Sequence, residues 1–240
     1  MRLDKFLTEA IGKTRSQVKK LLKAKNVTVN EEVIIIGKFQ VNANEDKVCI
    51  AGKRVRYQEF YYLMLNKPKN VVSATTDIHQ QTVLFLIRNK VKARKKLFPV
   101  GRLDKDTTGL LLLTNDGNFA HELISPKKHV PKTYRAVVAG IADEVTVRQF
   151  AAGFSLRNKE PVRPAKLKVL ETDVQNKKSK VEVVITEGKY HQVKRMFGAV
   201  SMRVLELKRI AIGKLKLDSE LKEGDSRFLT EQELNLLKRK

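Results

Sequence analysis

The sequence predicts an α+β fold in which a small helical and hairpin domain precedes a larger domain with a mixed, mainly antiparallel sheet and flanking helices. Residues 1–58 carry two short amphipathic helix patterns followed by a hairpin signal. Residues 59–240 carry many strand-like patterns with a few helices between them. Because these helices do not alternate regularly with the strands, the pattern favours an α+β domain over a parallel βαβ arrangement.

Two helices are predicted at the start of the smaller domain. Apolar residues recur at helical spacing through LDKFLTEA, and Gly12 follows as a stop signal. A second helix is expected to begin near Thr14 or Ser16, either of which can cap its first turn. The sequences VTVN and EEVII then predict a hairpin that turns at Asn30-Glu31. The basic stretch GKRVRYQEF is expected to be the linker to the larger domain.

The second helix carries a row of cations. Arg15, Lys19 and Lys23 lie at successive i,i+4 positions and therefore share one face. Like charges at this spacing cost roughly 0.2–0.5 kcal/mol per pair in an isolated helix. A solvated face is the simpler explanation of such a row, and a face that binds a polyanion is the other.

The order of two helices and a hairpin, with cations on the second helix, resembles the S4 RNA-binding domain. The opening RLDKFL and the segment TRSQVKKLLKAKNVTVN carry this resemblance. It implies that residues 1–58 bind RNA, and that Arg2 joins Arg15, Lys19 and Lys23 in contacting it.

The elements of the larger domain, residues 59–240, are predicted from their periodicity. Strands are expected at YYLMLN, LLLLT, TYRAVVA, AKLKVLE, VEVVIT, RVLELKR and GKLKL, with QNKKS as a hairpin turn. Helices are expected at NFAHELI, EVTVRQFAAG and YHQVKRMFGAV. The basic cluster at residues 88–96 is expected to be an exposed loop or helix that contacts phosphate.

The stretch FPVGRLDKDTTGLLLLTNDG concentrates polar side chains in a loop before a buried strand. Residues 110–113 form the predicted strand, and the turn at Asn115-Asp116-Gly117 can start a helix. Polar loops on a rigid scaffold often hold catalytic groups. A loop that is merely capped and hydrogen-bonded has the same composition, so composition leaves both interpretations open.

Four segments of the larger domain resemble the RsuA-type pseudouridine synthases. GRLDKDTTGLLLLTNDG is similar to the family's signature, and LNKPKNVVSAT, KTYRAVV and EGKYHQVKRMF followed by LKRIAIGKLKL agree with it. With the S4-like start and the ending GDSRFLTEQEL, the resemblance covers nearly the whole chain. It implies an enzyme that isomerises a uridine in ribosomal RNA to pseudouridine.

The resemblance also implies roles for individual residues. Asp104 is the expected catalytic carboxylate, and Lys194 is the cation expected to pair with it, in preference to Arg195. Tyr134 is the tyrosine expected to stack on the target base. Arg102 is expected to order the loop or to help open the RNA.

The chemistry implied by the resemblance breaks the bond between uracil N1 and ribose C1′, turns the base and rejoins it through C5. A carboxylate can serve as the nucleophile, or as a base and electrostatic partner to the sugar, and both routes stay open. No redox change or group donor is involved, so no cofactor is expected. Asp106 is expected to be structural, and no proton transfer is assigned to His191 or Gln192.

The charge balance indicates a polyanionic partner. The net charge is +23, from 49 Lys and Arg against 26 Asp and Glu. Nucleic acid is favoured over a membrane surface, because no apolar run approaches the ~20 residues of a spanning helix. The start MRLDKFLTEA lacks the apolar core of a signal peptide. A single cysteine, Cys49, excludes an intrachain disulfide and a cysteine-ligated metal site. A soluble cytoplasmic protein without a metal is therefore expected. We also expect a monomer, although these observations do not determine the oligomeric state.

Other functions were weighed against this interpretation. A non-catalytic S4-type ribosome-assembly factor explains the charge but leaves the loop around Asp104 without a role. A glycoside hydrolase needs two carboxylates that straddle the bond at ~5–9 Å, which Asp104 and Asp106 as near neighbours fit poorly. Within the family, the S4-like start and the short basic end favour 16S rRNA of the small subunit, free or in an assembly particle, over 23S rRNA.

Overall fold

The computed structural model describes residues 1–87, 97–156 and 159–238. Contacts within the chain separate two units, one formed by Met1–Phe60 and the other by Tyr61–Ile87 together with the described residues from Leu97 onward. The basic cluster predicted at residues 88–96 lies outside the described residues.

The first unit opens with helices α1 (Leu3–Ile11) and α2 (Arg15–Lys23). Helix α1 ends at Gly12, whose φ of 67° is left-handed and is easiest for glycine, as predicted. Thr14 rather than Ser16 caps α2. Its hydroxyl accepts from the Gln17 amide at 3.3 Å, while the Gln17 side chain accepts from the Thr14 amide at 3.0 Å.

A four-stranded antiparallel sheet follows in the order β2-β1-β3-β4. Its strands are β1 (Val27–Val29), β2 (Glu32–Val33), β3 (Val48–Ile50) and β4 (Lys53–Arg54). Asn30 and Glu31 both have positive φ, 50° and 76°, as a tight hairpin turn between twisted strands requires. The core of the unit contains Leu3, Phe6, Leu7, Val18, Leu22, Val27, Val29, Val41 and Val48.

The prediction that GKRVRYQEF is a linker is wrong, because most of this segment belongs to the first unit. Lys53–Arg54 is strand β4, and Val55 and Tyr57 pack against the core. The Tyr57 ring lies 5.4 Å from that of Phe6, and its hydroxyl donates to Glu9 at 2.8 Å. Basic side chains alternate here with apolar ones, which is a strand pattern that the high charge concealed.

A mixed nine-stranded sheet forms the centre of the second unit, with the path β11-β12-β8-β13-β7-β5-β15. Strand β14 pairs with β13 and β6 with β7. Only β7 and β13 pair in parallel among the described strands. The strands are β5 (Tyr62–Lys67), β6 (Phe98–Pro99), β7 (Thr108–Thr114), β8 (Lys132–Ala139), β11 (Lys166–Asp173), β12 (Lys178–Ile185), β13 (Arg203–Ile212), β14 (Leu215–Lys216) and β15 (Ser226–Phe228). A separate ribbon joins β9 (Phe154–Ser155) to β10 (Pro161–Val162).

Helices flank this sheet, and the predicted α+β class is thereby confirmed. They are α3 (Val83–Leu86), α4 (Gly117–Ile124), α5 (Glu144–Ala152), α6 (Gln192–Ala199) and α7 (Glu231–Lys238), with a 3-10 turn at Pro126–Lys128. Asp116 caps α4 by accepting from the Phe119 amide at 3.0 Å, as the predicted turn suggested. Over the described ranges, no helix combines the length and the apolar content needed to cross a membrane.

Strand β7 lies in the middle of the sheet and is buried along its whole length. The start of β7 packs closely against β13. Gly109 has a φ of +100°, and a Cβ added there would lie 2.2 Å from the carbonyl oxygen of Arg209. Only glycine permits this approach. The strand therefore begins at Thr108, two residues earlier than predicted, and the polar loop before it opens beside β13 and β8.

Candidate active site

The loop that leads into β7 carries Asp104 at a tight turn. The Thr107 amide donates to the Asp104 carbonyl at 3.1 Å. Ser73 fixes the preceding residue, because its hydroxyl donates to the Leu103 carbonyl at 2.9 Å and accepts from the Leu103 amide at 3.1 Å. The backbone on both sides of Asp104 is therefore held before any substrate arrives.

Lys67, at the end of β5, holds the same loop from below. Its side chain is fully buried, and its Nζ donates to the carbonyls of Pro68 at 2.9 Å, Lys105 at 3.3 Å and Thr107 at 2.9 Å. Burial lowers the pKa of Lys67 to about 8, although the carboxylates of Asp106 and Asp104 oppose the shift. The protonated form has three N–H donors for these three carbonyls, so Lys67 orders the loop.

Helix α6 delivers the cation that faces Asp104. The Nζ of Lys194 lies 3.0 Å from Asp104 Oδ2 and 2.5 Å from Asp106 Oδ1. His191, just before the helix, places Nε2 at 3.5 Å from Asp104 Oδ1. On the other side of α6, Val193, Met196 and Phe197 are buried and anchor the helix. Packing of α6 thus sets the position of the ammonium group.

The two carboxylates keep Lys194 charged. Burial alone would lower the pKa of Lys194, but its hydrogen bonds to Asp106 and Asp104 outweigh burial and hold the pKa above its usual value. The same bond from Lys194 lowers the pKa of the Asp106 carboxyl. The ammonium shared by the two carboxylates holds both of them in place, and it favours the ionised form of Asp106.

A small cavity of about 70 Å³ opens beside these groups. Tyr134 lines it from β8, where it is paired across the sheet with Val183 and Arg209. Asp104, Arg102, His191 and Lys194 supply the polar lining, and Leu103, Ile185 and Leu207 the apolar walls. Polar groups that converge beside an aromatic ring are typical of a ligand site. Within the described ranges, no three His, Cys, Asp or Glu side chains are grouped to hold a metal ion.

The structure thus brings together Asp104, Tyr134, Lys194 and Arg102 around one cavity. Arg195 points elsewhere. Its Nη2 donates to Glu160 at 2.7 Å and its Nη1 to the Tyr190 carbonyl at 3.2 Å.

The residues predicted to bind RNA in the first unit fall into two groups. Arg15, Lys19 and Lys23 are exposed along α2. Arg2 is instead tied to Asp4 by two bonds, one of 3.0 Å from Nε and one of 2.5 Å from Nη2. The guanidinium of Arg2 is half exposed and keeps further N–H donors that a phosphate can accept from.

The sequence predicted no role for Lys67 and no proton transfer for His191, and both residues contact the site. Asp106 was expected only to be structural. The signal for Lys67 was available in LNKPKNVV, where a lysine ends an otherwise apolar strand. A lysine at such a position needs several acceptors. The ion pair of Asp106 has no such signal, since it depends on how α6 docks 88 residues further along the chain.

Comparison with known proteins agrees with this geometry. Residues 61–199, which include Asp104, Tyr134 and Lys194, match the RNA pseudouridylate synthase family, and residues 1–48 match the S4 domain. A Bacillus subtilis protein named as the uncharacterized RNA pseudouridine synthase YtzG is 44% identical over 99% of this chain and 98% of its own. Ribosomal small subunit pseudouridine synthase A of Yersinia pestis is 40% identical over 98% and 97%, and that of Escherichia coli K12 38% over 98% and 98%.

A solved structure described as a pseudouridylate synthase is 40% identical to this chain, covers 99% of both chains and superposes with a TM-score of 0.68. Fold and sequence together define an RNA-modifying isomerase. More narrowly, the chain belongs to the RNA pseudouridylate synthase family, with an S4 domain at its N-terminus. The resemblance predicted from the sequence is therefore confirmed.

Replacing Tyr134 separates the contribution of its ring from that of its hydroxyl. We expect Tyr134→Ala to lower kcat/KM by about 30-fold, because stacking of a base on an aromatic ring contributes roughly 1–3 kcal/mol. Tyr134→Phe keeps the ring and should stay within about threefold of wild type. Steady-state kinetics on ribosomal RNA measures both, and equally severe losses would assign the function to the hydroxyl instead.

Proposed function

We propose that this enzyme converts one uridine of 16S rRNA in the small ribosomal subunit to pseudouridine, with Asp104 as its catalytic carboxylate. The observation that carries the proposal is the Asp104–Lys194 pair, 3.0 Å long, in a cavity lined by Tyr134. The choice of RNA is supported by relatives of 38–40% identity that are named for the small subunit and match over nearly the full length.

The proposed isomerisation needs a negatively charged carboxylate beside the sugar and the base. The N1–C1′ bond breaks, uracil turns so that C5 faces C1′, and the C5–C1′ bond forms. The C5 hydrogen then leaves as a proton and N1 takes up a proton, so the product is an isomer of the substrate. An ionised Asp104 is required whether it attacks the sugar or removes a proton. Lys194 pairs with this carboxylate at 3.0 Å, while the ring of Tyr134 and the apolar walls of the cavity face the turning base.

The target uridine has to leave its stack to enter a cavity that lies inside the second unit, at a cost of a few kcal/mol. Phosphate contacts offset this cost, and both parts of the chain are basic enough to supply them. We therefore assign residues 1–58 as the RNA-binding domain and residues 59–240 as the catalytic domain. We further propose that the enzyme acts as a monomer in the cytoplasm, on ribosomal RNA or on an assembly particle.

Two measurements test this function. Pseudouridine mapping of ribosomal RNA from cells with and without the gene should show one 16S uridine modified only in its presence. Purified enzyme should release tritium from RNA labelled at uridine C5, because pseudouridine formation replaces that hydrogen. A pseudouridine that depends on the gene but lies in 23S rRNA would show that the substrate is the large-subunit RNA. Absence of tritium release from every ribosomal RNA substrate would contradict enzymatic activity of the chain.

The exposed cations of α2 should bind phosphate through counterion release. Log affinity falls with log salt at a slope of about −0.9 per phosphate neutralised on B-DNA and about −0.7 on single strands. Replacing Arg15, Lys19 and Lys23 together by Gln should therefore flatten the slope by roughly two to three units. Filter binding to 16S rRNA across a salt series measures this slope.

A matched variant controls for net charge. Lys38, Lys47 and Lys53 are exposed in the same unit but lie outside α2, so their replacement by Gln removes the same three charges. We expect a change of less than one unit in the slope for this variant. Equal slopes in the two triple variants would mean that α2 presents a solvated face rather than an RNA-binding one.

A further inference from the structure

Tyr190 is a large aromatic side chain that lies in solvent beside the candidate active site. It is 73% exposed. One face of its ring is stacked on the imidazole of His191, with the ring centroids 3.8 Å apart and the planes inclined by 18°. Because only this face is covered, the opposite face is open to a ligand.

The turn that carries Tyr190 is fixed on both sides. The Lys189 amide donates to the Gln192 side chain at 2.9 Å, and Gln192 in turn donates to the buried carboxylate of Glu187 at 2.7 Å. Arg195 holds the Tyr190 carbonyl at 3.2 Å. A ring presented by a fixed turn loses little conformational freedom when a ligand stacks on it.

The stack connects this ring to the catalytic carboxylate. His191 has a left-handed φ of 47°, an uncommon conformation for a residue other than glycine, and this kink brings its ring against that of Tyr190. His191 also lines the cavity, with Nε2 at 3.5 Å from Asp104 Oδ1. The ring of Tyr190 is therefore stacked on an imidazole that lines the cavity.

We propose that Tyr190 is a stacking platform for a nucleobase that flanks the target uridine in the substrate RNA, a step that rests on the proposed RNA-modifying function. Every base has a π-face, so such a platform holds the neighbouring nucleotide without reading its identity. Extrusion of the uridine leaves its neighbours without one stacking partner, and the Tyr190 ring replaces that partner.

Variants of the full-length enzyme test the platform. Tyr190→Phe keeps the stack and should leave KM for 16S rRNA within twofold of wild type. Tyr190→Leu and Tyr190→Ala should each raise KM roughly five- to tenfold, towards the lower end of what loss of one base stack produces. The value of kcat at saturating RNA should stay within twofold. Val174→Ala is the matched control, since Val174 is also 73% exposed and lies in a turn of the same unit.

A positioning role through His191 gives a different result. If Tyr190 acted only by supporting the imidazole next to Asp104, Tyr190→Leu and Tyr190→Ala would lower kcat at saturating RNA and leave affinity unchanged. That result would overturn the proposal, as would a change in KM no larger than that of Val174→Ala.

Changes in the RNA complete the test. An abasic nucleotide placed on either side of the mapped uridine should weaken binding to wild type at one of the two positions. The same abasic site should cost Tyr190→Ala less than twofold, because the stack is already absent. Additive losses at both positions would overturn the proposal. Wild-type turnover of the intact RNA tests the proposed function separately, and filter binding of the same RNAs reports on the stack whether or not turnover occurs.

Discussion

Replacing Asp104 by asparagine is expected to abolish turnover while the affinity for RNA stays within about twofold of wild type. The amide keeps the size of the side chain but can neither attack the sugar nor accept a proton from uracil. Removal of a single catalytic carboxylate or nucleophile lowers rates by about 10⁴-fold or more in well-studied enzymes. Single-turnover tritium release with enzyme in excess over RNA measures the rate, and filter binding measures the affinity.

The fold of the site should survive this change, because Asp106 still holds Lys194 at 2.5 Å and Lys67 still holds the loop backbone. Asp106→Asn is the matched control, since it makes the same chemical change two residues away. Its carboxylate is largely exposed, and exposed ion pairs contribute little, so we expect at most a tenfold loss. Near-normal turnover by Asp104→Asn, or equal losses in both variants, would contradict the assignment of Asp104.

Most elements of the fold could be predicted because their signals are local. The capped helix α2, the hairpin at Asn30-Glu31 and the strands of the large sheet each follow from spacing and turn residues. Strand β4 was missed because its basic residues hid the alternation with Val55. Helix α7 was missed although a signal was present. Thr230 and Glu233 form reciprocal cap bonds of 3.2 and 2.9 Å, the pattern that TEQE contains.

The candidate site was predictable in a different way. Its members Asp104, Tyr134 and Lys194 were named from the resemblance to a family, and composition alone left the polar loop ambiguous. Neither the resemblance nor the composition predicted that Lys67 would hold the backbone of this loop. The three carbonyls bound by Lys67 belong to a backbone turn whose geometry exists only once β5, β7 and β13 have paired. Long-range pairing of this kind leaves no periodic trace in the sequence.

Removing the charge of Lys194 is expected to be the second most damaging change in the site. Lys194→Met keeps the aliphatic stem but leaves Asp104 and Asp106 side by side without their cation. A hydrogen bond to a charged group contributes roughly 1.5–3 kcal/mol, so losing the bond to Asp104 should slow the chemical step by about 10- to 100-fold. Lys194→Arg keeps a cation with a different donor geometry and should recover part of this loss.

Arg195→Met is the matched control for Lys194→Met, because it removes a cation from the next position of the same helix. Arg195 bonds Glu160 rather than Asp104, so its loss should change the single-turnover rate at saturating RNA by less than tenfold. Comparing that rate with affinity separates two roles for Lys194. A cation that orients the catalytic carboxylate affects the rate, whereas a cation that binds phosphate affects affinity and its salt dependence. A Lys194→Met enzyme with normal rate and a flattened salt slope would therefore show that the ammonium serves the RNA backbone and that Asp104 functions without it.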